Sequence, residues 1–88
     1  MRKVGDLVDI ETIYLDKEFM TLQQLLKYIN VIGSGGQAKW FLKDHAVLLN
    51  GEFENRRGKK LYPGDTIELV DIGIYLIREE MTNKSQEV

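Results

Sequence analysis

From residue 10 onward the hydrophobic positions switch period several times, and each switch marks an element. Ile10 to Leu15 is rich in Ile, Thr and Tyr, residues that suit a pleated surface, and predicts a strand. Asp16-Lys17-Glu18 is a polar turn. A helix then opens at Thr21. Thr21 and Gln24 have capping-box spacing, and Met20 with Leu25 has the spacing of a hydrophobic staple. Leu22, Leu25, Leu26 and Ile29 recur at i, i+3, i+4 and i+7, the signature of one buried face, and Asn30 stops the run. Ser34-Gly35-Gly36-Gln37 opens a second helix, with Ser34 and Gln37 again at capping-box spacing. Ala38, Phe41 and Leu42 form its apolar face, with Trp40 read as a core-edge residue in preference to a base-stacking platform, and Lys39 and Lys43 stand four apart on a different face. This helix ends near Asp44, and His45 is expected just beyond it with positive φ. Two short helices joined by a few residues make a helical hairpin or an angled pair.

The second half has the period of strands. Val47-Leu48-Leu49, Asn50-Gly51 and Glu52-Phe53-Glu54 read as a tight hairpin, because Asn-Gly supplies the positive φ values of a type I′ turn. Glu52 and Glu54 alternate with Phe53 as a strand's solvent face would. Pro63-Gly64 fits the centre of a type II turn. Thr66 to Val70 is a further strand with Ile67 and Leu69 on one face. Ile72 to Ile77 is apolar without a deciding period, and suits either another strand or a short helix. Asn83 onward is polar and expected to fray. No repeat or low-complexity tract is present, and 88 residues leave room for one core.

Composition narrows the chemistry. Without cysteine there is no disulfide framework, thiolate metal site or cysteine nucleophile. No apolar stretch follows the start Met1-Arg2-Lys3-Val4-Gly5-Asp6, and no window is long enough to cross a membrane, so a cytoplasmic location without membrane contact is expected. The net charge of −2 hides its distribution. From Lys27 to Lys60 there are seven cations (Lys27, Lys39, Lys43, Arg56, Arg57, Lys59, Lys60) and three anions (Asp44, Glu52, Glu54), a net of +4. Residues 1–26 carry −2 and residues 61–88 carry −4. A basic middle between acidic ends suits an anionic partner.

The charge peaks at Arg56-Arg57-Gly58-Lys59-Lys60, between the hairpin and the Pro63-Gly64 turn. Arg offers a planar donor fork and Lys a compact point charge, both suited to phosphate oxygens. Four cations in five positions also repel one another, a cost that an anionic partner relieves. The bland alternative is a solvated loop that aids solubility. A second anion site is conceivable at Ser34-Gly35-Gly36-Gln37, where helix N-terminal N–H groups meet absent side chains. Taken alone, the plain interhelical turn is the favoured reading there, and the segment lacks the Lys-Ser/Thr ending of a P-loop. His45 has no second His or any Cys as a partner, so neither metal binding nor catalysis is read from it. No cofactor or small-molecule substrate is implied.

In order along the chain, Ser34-Gly35-Gly36-Gln37-Ala38-Lys39, Val47-Leu48-Leu49-Asn50-Gly51-Glu52, Arg56-Arg57-Gly58-Lys59-Lys60-Leu61 and Pro63-Gly64-Asp65 resemble the S4 RNA-binding domain. Within it they are most similar to small stand-alone bacterial S4-like proteins of the YaaA type. The resemblance covers about residues 20–70 and implies an α+β fold of the S4 (αL motif) kind, with two short helices packed on a small, mostly antiparallel sheet. Residues 1–19 would then be an N-terminal strand region, 71–82 an extension of the same domain and 83–88 a frayed tail. The family's small residue in the second helix matches Ala38 and the cation after it Lys39; its hairpin matches Leu49-Asn50-Gly51, and its Pro-Gly-Asp turn matches Pro63-Gly64-Asp65. Two positions depart from it. Met20-Thr21-Leu22-Gln23 replaces the Arg-Leu-Asp that starts the first helix of many S4 domains, and Gly35 stands where many have Arg.

The resemblance implies a non-catalytic protein that binds RNA, ribosomal RNA or ribosomal particles in particular, in ribosome assembly. The expected phosphate contacts are Lys39, Arg56, Arg57, Lys59 and Lys60 on one exposed face, with Lys43 nearby and Ser34, Gly35, Gly36 and Gln37 as a secondary anion site. The rival reading is a protein-interaction adaptor whose acidic ends meet a basic partner. An enzyme ranks third, since no nucleophile, metal set or acid/base pair is legible.

Overall fold

The computed structural model describes residues 10–80; residues 1–9 and 81–88, which include the expected frayed tail 83–88, lie outside the described residues. The elements run β1 (Ile10–Leu15), β2 (Met20–Thr21), α1 (Leu22–Tyr28), α2 (Gly36–Asp44), β3 (Val47–Leu49), β4 (Glu52–Phe53), β5 (Lys60–Leu61), β6 (Thr66–Leu69) and β7 (Gly73–Glu79). Five strands form one sheet in the order β1-β7-β6-β3-β4, antiparallel except for the β1–β7 pair, and β2 pairs with β5 separately. The two helices pack on this mostly antiparallel sheet, an α+β fold. Alternation along the strands decides what is buried. Ile13 and Leu15, Val47, Ile67 and Leu69, and Tyr75 and Ile77 point to one face and join Leu22, Leu25, Leu26, Ala38 and Leu42 in the core. None of the buried residues described is polar.

The ambiguous run Ile72 to Ile77 is strand from Gly73 onward, with Ile72 in the preceding turn. β7 lies between β1 and β6, so its backbone is paired on both edges. Tyr75 and Ile77 face the core, while Ile74 and Leu76 are half-buried on the opposite face. Apolar residues on both faces erase the period of two that would have identified it.

Helix α1 follows its sequence signals closely. Gln24 N–H donates to Thr21 Oγ1 at 3.2 Å and Thr21 N–H to Gln24 Oε1 at 2.8 Å, a complete capping box. At the other end Asn30 has φ 65°. Its N–H donates to Lys27 O and Val31 N–H to Leu26 O, a Schellman closure. Helix α2 ends at Asp44 as expected, but neither of its caps is the expected one. Its N-cap is Gly35 with no side-chain bond; Ser34 caps nothing, and Gln37 Oε1 instead accepts from Gly33 N–H. His45 does not have positive φ: it is extended at φ −127°, ψ 136°. The chain passes straight from α2 into β3, so no reversal is required, and the His45 ring stacks on Phe41 with centroids 4.3 Å apart.

The hairpin is as expected, with Asn50 at φ 52° and Gly51 at φ 89° between the paired Leu49 and Glu52. The Pro63-Gly64 turn closes with Asp65 N–H on Tyr62 O at 3.0 Å and Gly64 at φ 102°. The two turns are also joined to each other. Asn50 Oδ1 accepts from Thr66 N–H at 2.9 Å, and Asn50 Nδ2 donates to Asp65 Oδ1 at 3.0 Å. Asp65 Oδ2 accepts from Tyr62 N–H at 2.8 Å. The segment between the turns, which holds the basic cluster, is therefore fixed at both ends.

Candidate nucleic-acid interface

The first N–H groups of a helix lack intrahelical partners. In α1 two of them are taken by the basic loop: Leu22 N–H donates to Lys59 O and Gln23 N–H to Arg57 O, each at 2.9 Å. The β2–β5 pairing, Met20 with Leu61 and Thr21 with Lys60, continues the same seam. Lys59 N–H donates back to Arg56 O at 3.1 Å, closing a turn over Arg57 and Gly58. The loop is thus anchored chiefly by its backbone, while its cationic side chains lie at or near the surface. Arg56, Arg57 and Lys60 are exposed and Lys59 is half-buried.

The four cations differ in their surroundings. Arg56 is clasped by Glu54: Nε donates to Oε2 at 2.8 Å, Nη2 to Oε1 at 3.1 Å, and the Arg56 N–H to Oε2 at 3.0 Å. The Glu54 side chain is only 10% exposed, against 68% for Arg56. Glu54 is therefore not on a strand's solvent face: β4 ends at Phe53, and Glu54 turns to hold Arg56. Hydrogen bonding to Arg56 holds the Glu54 carboxyl below the ordinary glutamate value of 4.5. A depressed carboxyl stabilises the fold above that value, and the contribution fades as pH falls through the folded-state pKa. Melting curves of the parent and of Glu54→Gln should therefore differ near neutral pH and converge as pH falls well below 4.5. A constant offset at all pH values would count against this coupling. Lys60 extends over the Phe19 ring, Nζ 4.7 Å from its centroid, and Phe19 in turn meets Tyr62. Arg57 is the exposed cation at the apex of the turn.

The start of α2 adjoins this seam through Gln23. A Cβ added to Gly35 would lie 2.5 Å from Gln23 Nε2, so any other residue there would require the end of that flexible side chain to move. The same Gln23 donates its backbone N–H to Arg57 O. The basic loop, the start of α1 and the start of α2 thus meet at one residue. Of the secondary anion site, Ser34, Gly36 and Gln37 are exposed and Gly35 half-buried. The Gln37 N–H is already spent on Ser34 O at 3.1 Å, so it is not available to an anion. Lys39 and Lys43 are exposed, and both ammonium groups lie against the Trp40 ring, at 5.7 and 5.3 Å from its centroid.

Three residues near the expected contacts were not legible as site residues. Gln23 and Glu54 carry no local motif, because their partners are distant in sequence or beyond a strand end. Trp40 had a signal that its neighbours masked. Successive helical residues turn by roughly 100°, so Trp40 lies roughly 200° from both Ala38 and Leu42. It is 59% exposed, on the side away from the core rather than at its edge. Among the described residues no group of three or more His, Cys, Asp or Glu could hold a metal, and no helix is long and apolar enough to cross a membrane.

Comparison with known proteins agrees with this architecture. A Bacillus subtilis (strain 168) protein named as a probable ribosome maturation protein, RlbA, is 52% identical over 65 residues, which cover 74% of this chain and 92% of that protein. The sequence profile of the S4 domain matches residues 13–78, a span from the middle of β1 to the penultimate residue of β7. By that match and that identity, the chain belongs to the S4-domain family.

Proposed function

We propose that this protein binds RNA without catalysing a reaction, and that its partner is ribosomal RNA within a maturing ribosomal particle. The observation that carries the proposal is the basic loop, whose backbone carbonyls cap α1 while its cationic side chains remain at the surface. A merely solubilising loop has no need of that anchoring. Family membership and the name of the Bacillus subtilis relative, a probable ribosome maturation protein, support the choice of partner. In this reading Arg57, Lys59 and Lys60 contact phosphate directly, Arg56 does so with Glu54 holding its orientation, and Lys39 extends the same face along α2. Lys43 and the Gly35–Gly36 backbone border it. Such contacts position the protein on the RNA, and the shape of the RNA decides the site.

The test is an anisotropy titration with single-stranded ribosomal RNA fragments at several salt concentrations. If five cations neutralise phosphates, log K should fall with log salt at a slope of about −3.5. A slope near zero, together with nucleic-acid-free protein by its 260/280 nm absorbance ratio, would reject RNA binding in favour of the protein-adaptor reading.

A further inference from the structure

The phosphate contacts proposed above leave several exposed aromatic residues unexplained, and of these Trp40 lies beside lysines. Trp40 is 59% exposed at the centre of the outward face of α2, where a polar residue would serve the fold equally well. Two ammonium groups lie over the exposed indole, Lys39 Nζ at 5.7 Å and Lys43 Nζ at 5.3 Å from its centroid, and these flexible side chains must swing off the ring for another group to stack on it. Among the described residues neither lysine makes an ion pair, and both ammonium groups lie within cation–π range of the ring.

We infer that Trp40 is a stacking platform for one unpaired base of the bound RNA, with Lys39 and Lys43 gripping the phosphates that flank it. This rests on the RNA-binding reading and adds a demand to it: the site must include a nucleotide that is not in a helix. The chemistry of a nucleotide matches the three side chains. It presents a flat π face to the indole and a phosphate on either side to the ammonium groups, and stacking is indifferent to which base is offered. A duplex cannot supply that face, because its bases are stacked on one another. Position supports the same partner over a protein. Trp40 lies five residues along the chain from Gly35, which abuts Gln23, and Gln23 is bonded to the basic loop. At about 1.5 Å of rise per residue this is on the order of 7 Å along the helix, roughly one nucleotide step of an extended strand. The indole thus lies within about one nucleotide step, measured along α2, of the point where that helix meets Gln23.

Trp40 is the only tryptophan of the chain, so its emission reports on this site without a label. The experiment compares two forms of one ribosomal RNA hairpin, fully paired or carrying a single unpaired nucleotide, against the parent protein, Trp40→Ala, Trp40→Phe and Arg57→Ala. The parent should bind the form with the unpaired nucleotide more tightly and show quenched emission with it. Trp40→Ala should lose about tenfold in affinity for that form only, with an unchanged salt slope, and Trp40→Phe should recover part of the loss. Circular dichroism melts of all variants should superimpose, since the ring is outside the core. If Trp40→Ala binds both forms like the parent while Arg57→Ala is weakened, RNA binding stands and the platform is rejected. If the parent binds neither form, both readings fall. If Trp40→Ala binds naked RNA normally but no longer joins ribosomal particles, the indole meets a protein, and the inference is again rejected.

Discussion

Leu61→Ala should cost about 2–5 kcal/mol of folding stability, a large part of the about 5–15 kcal/mol available to a small domain. Leu61 is fully buried, and its strand β5 is two residues long and pairs only with β2. Such a short pairing has little hydrogen bonding of its own, so the side chain in the core holds it in place. Truncation leaves a cavity beneath the point where the basic loop joins α1. The functional consequence is local as well as global. The Leu22 and Gln23 amides, which donate to Lys59 O and Arg57 O, should lose hydrogen-exchange protection beyond what the overall loss of stability predicts. Urea denaturation measures the first effect as a lower midpoint at unchanged m-value. Leu61→Met, which nearly conserves volume, should cost less than about 1.5 kcal/mol. Equal, small losses for both variants would show that β5 is held by something other than this side chain.

Replacing Arg56 and Arg57 together by Ala should weaken RNA binding about 25-fold at 0.1 M salt and flatten the salt slope by about 1.4, if each side chain neutralises one phosphate of a single strand. The two arginines are not equivalent. Removal of Arg56 strands the Glu54 carboxylate, which is only 10% exposed, so the double variant should also melt lower than the parent. Arg57→Ala has no such partner effect and isolates the phosphate contact, with about half of the slope change. Glu52→Ala is the appropriate charge control, because Glu54→Ala would release Arg56 and disturb the loop. Parental affinity and slope in Arg57→Ala would remove the apex of the loop from the interface.

Local chemistry made much of the fold legible. Asn50-Gly51 states its own turn, because only residues tolerant of positive φ close a two-residue hairpin, and the other non-glycine residues with positive φ are Asn30 and Asp71. Thr21 and Gln24 state the start of α1, since each donor and acceptor of a capping box lies within four residues. His45 misled because a position between helix and strand resembles a reversal, and only the path into β3 shows that none occurs. Ser34 misled because a capping residue needs extended backbone, whereas the chain there bends toward Gln23 and Gln37 turns back to Gly33.

The amino-acid sequence by itself determined which segments form helix, turn and most strands, and that positive charge concentrates at residues 56–60, because these depend on neighbours within a few positions. Tertiary structure decided the rest. It chose strand over helix for Gly73–Glu79 by offering a partner on each edge. It joined the basic loop to α1 through backbone carbonyls that every residue type possesses, which no side-chain pattern can announce. It also brought Gly35, at the start of α2, against the Gln23 side chain of α1. Residue type and spacing specify local conformation; which surfaces meet, and what remains free to bind, depends on contacts between positions far apart in the chain.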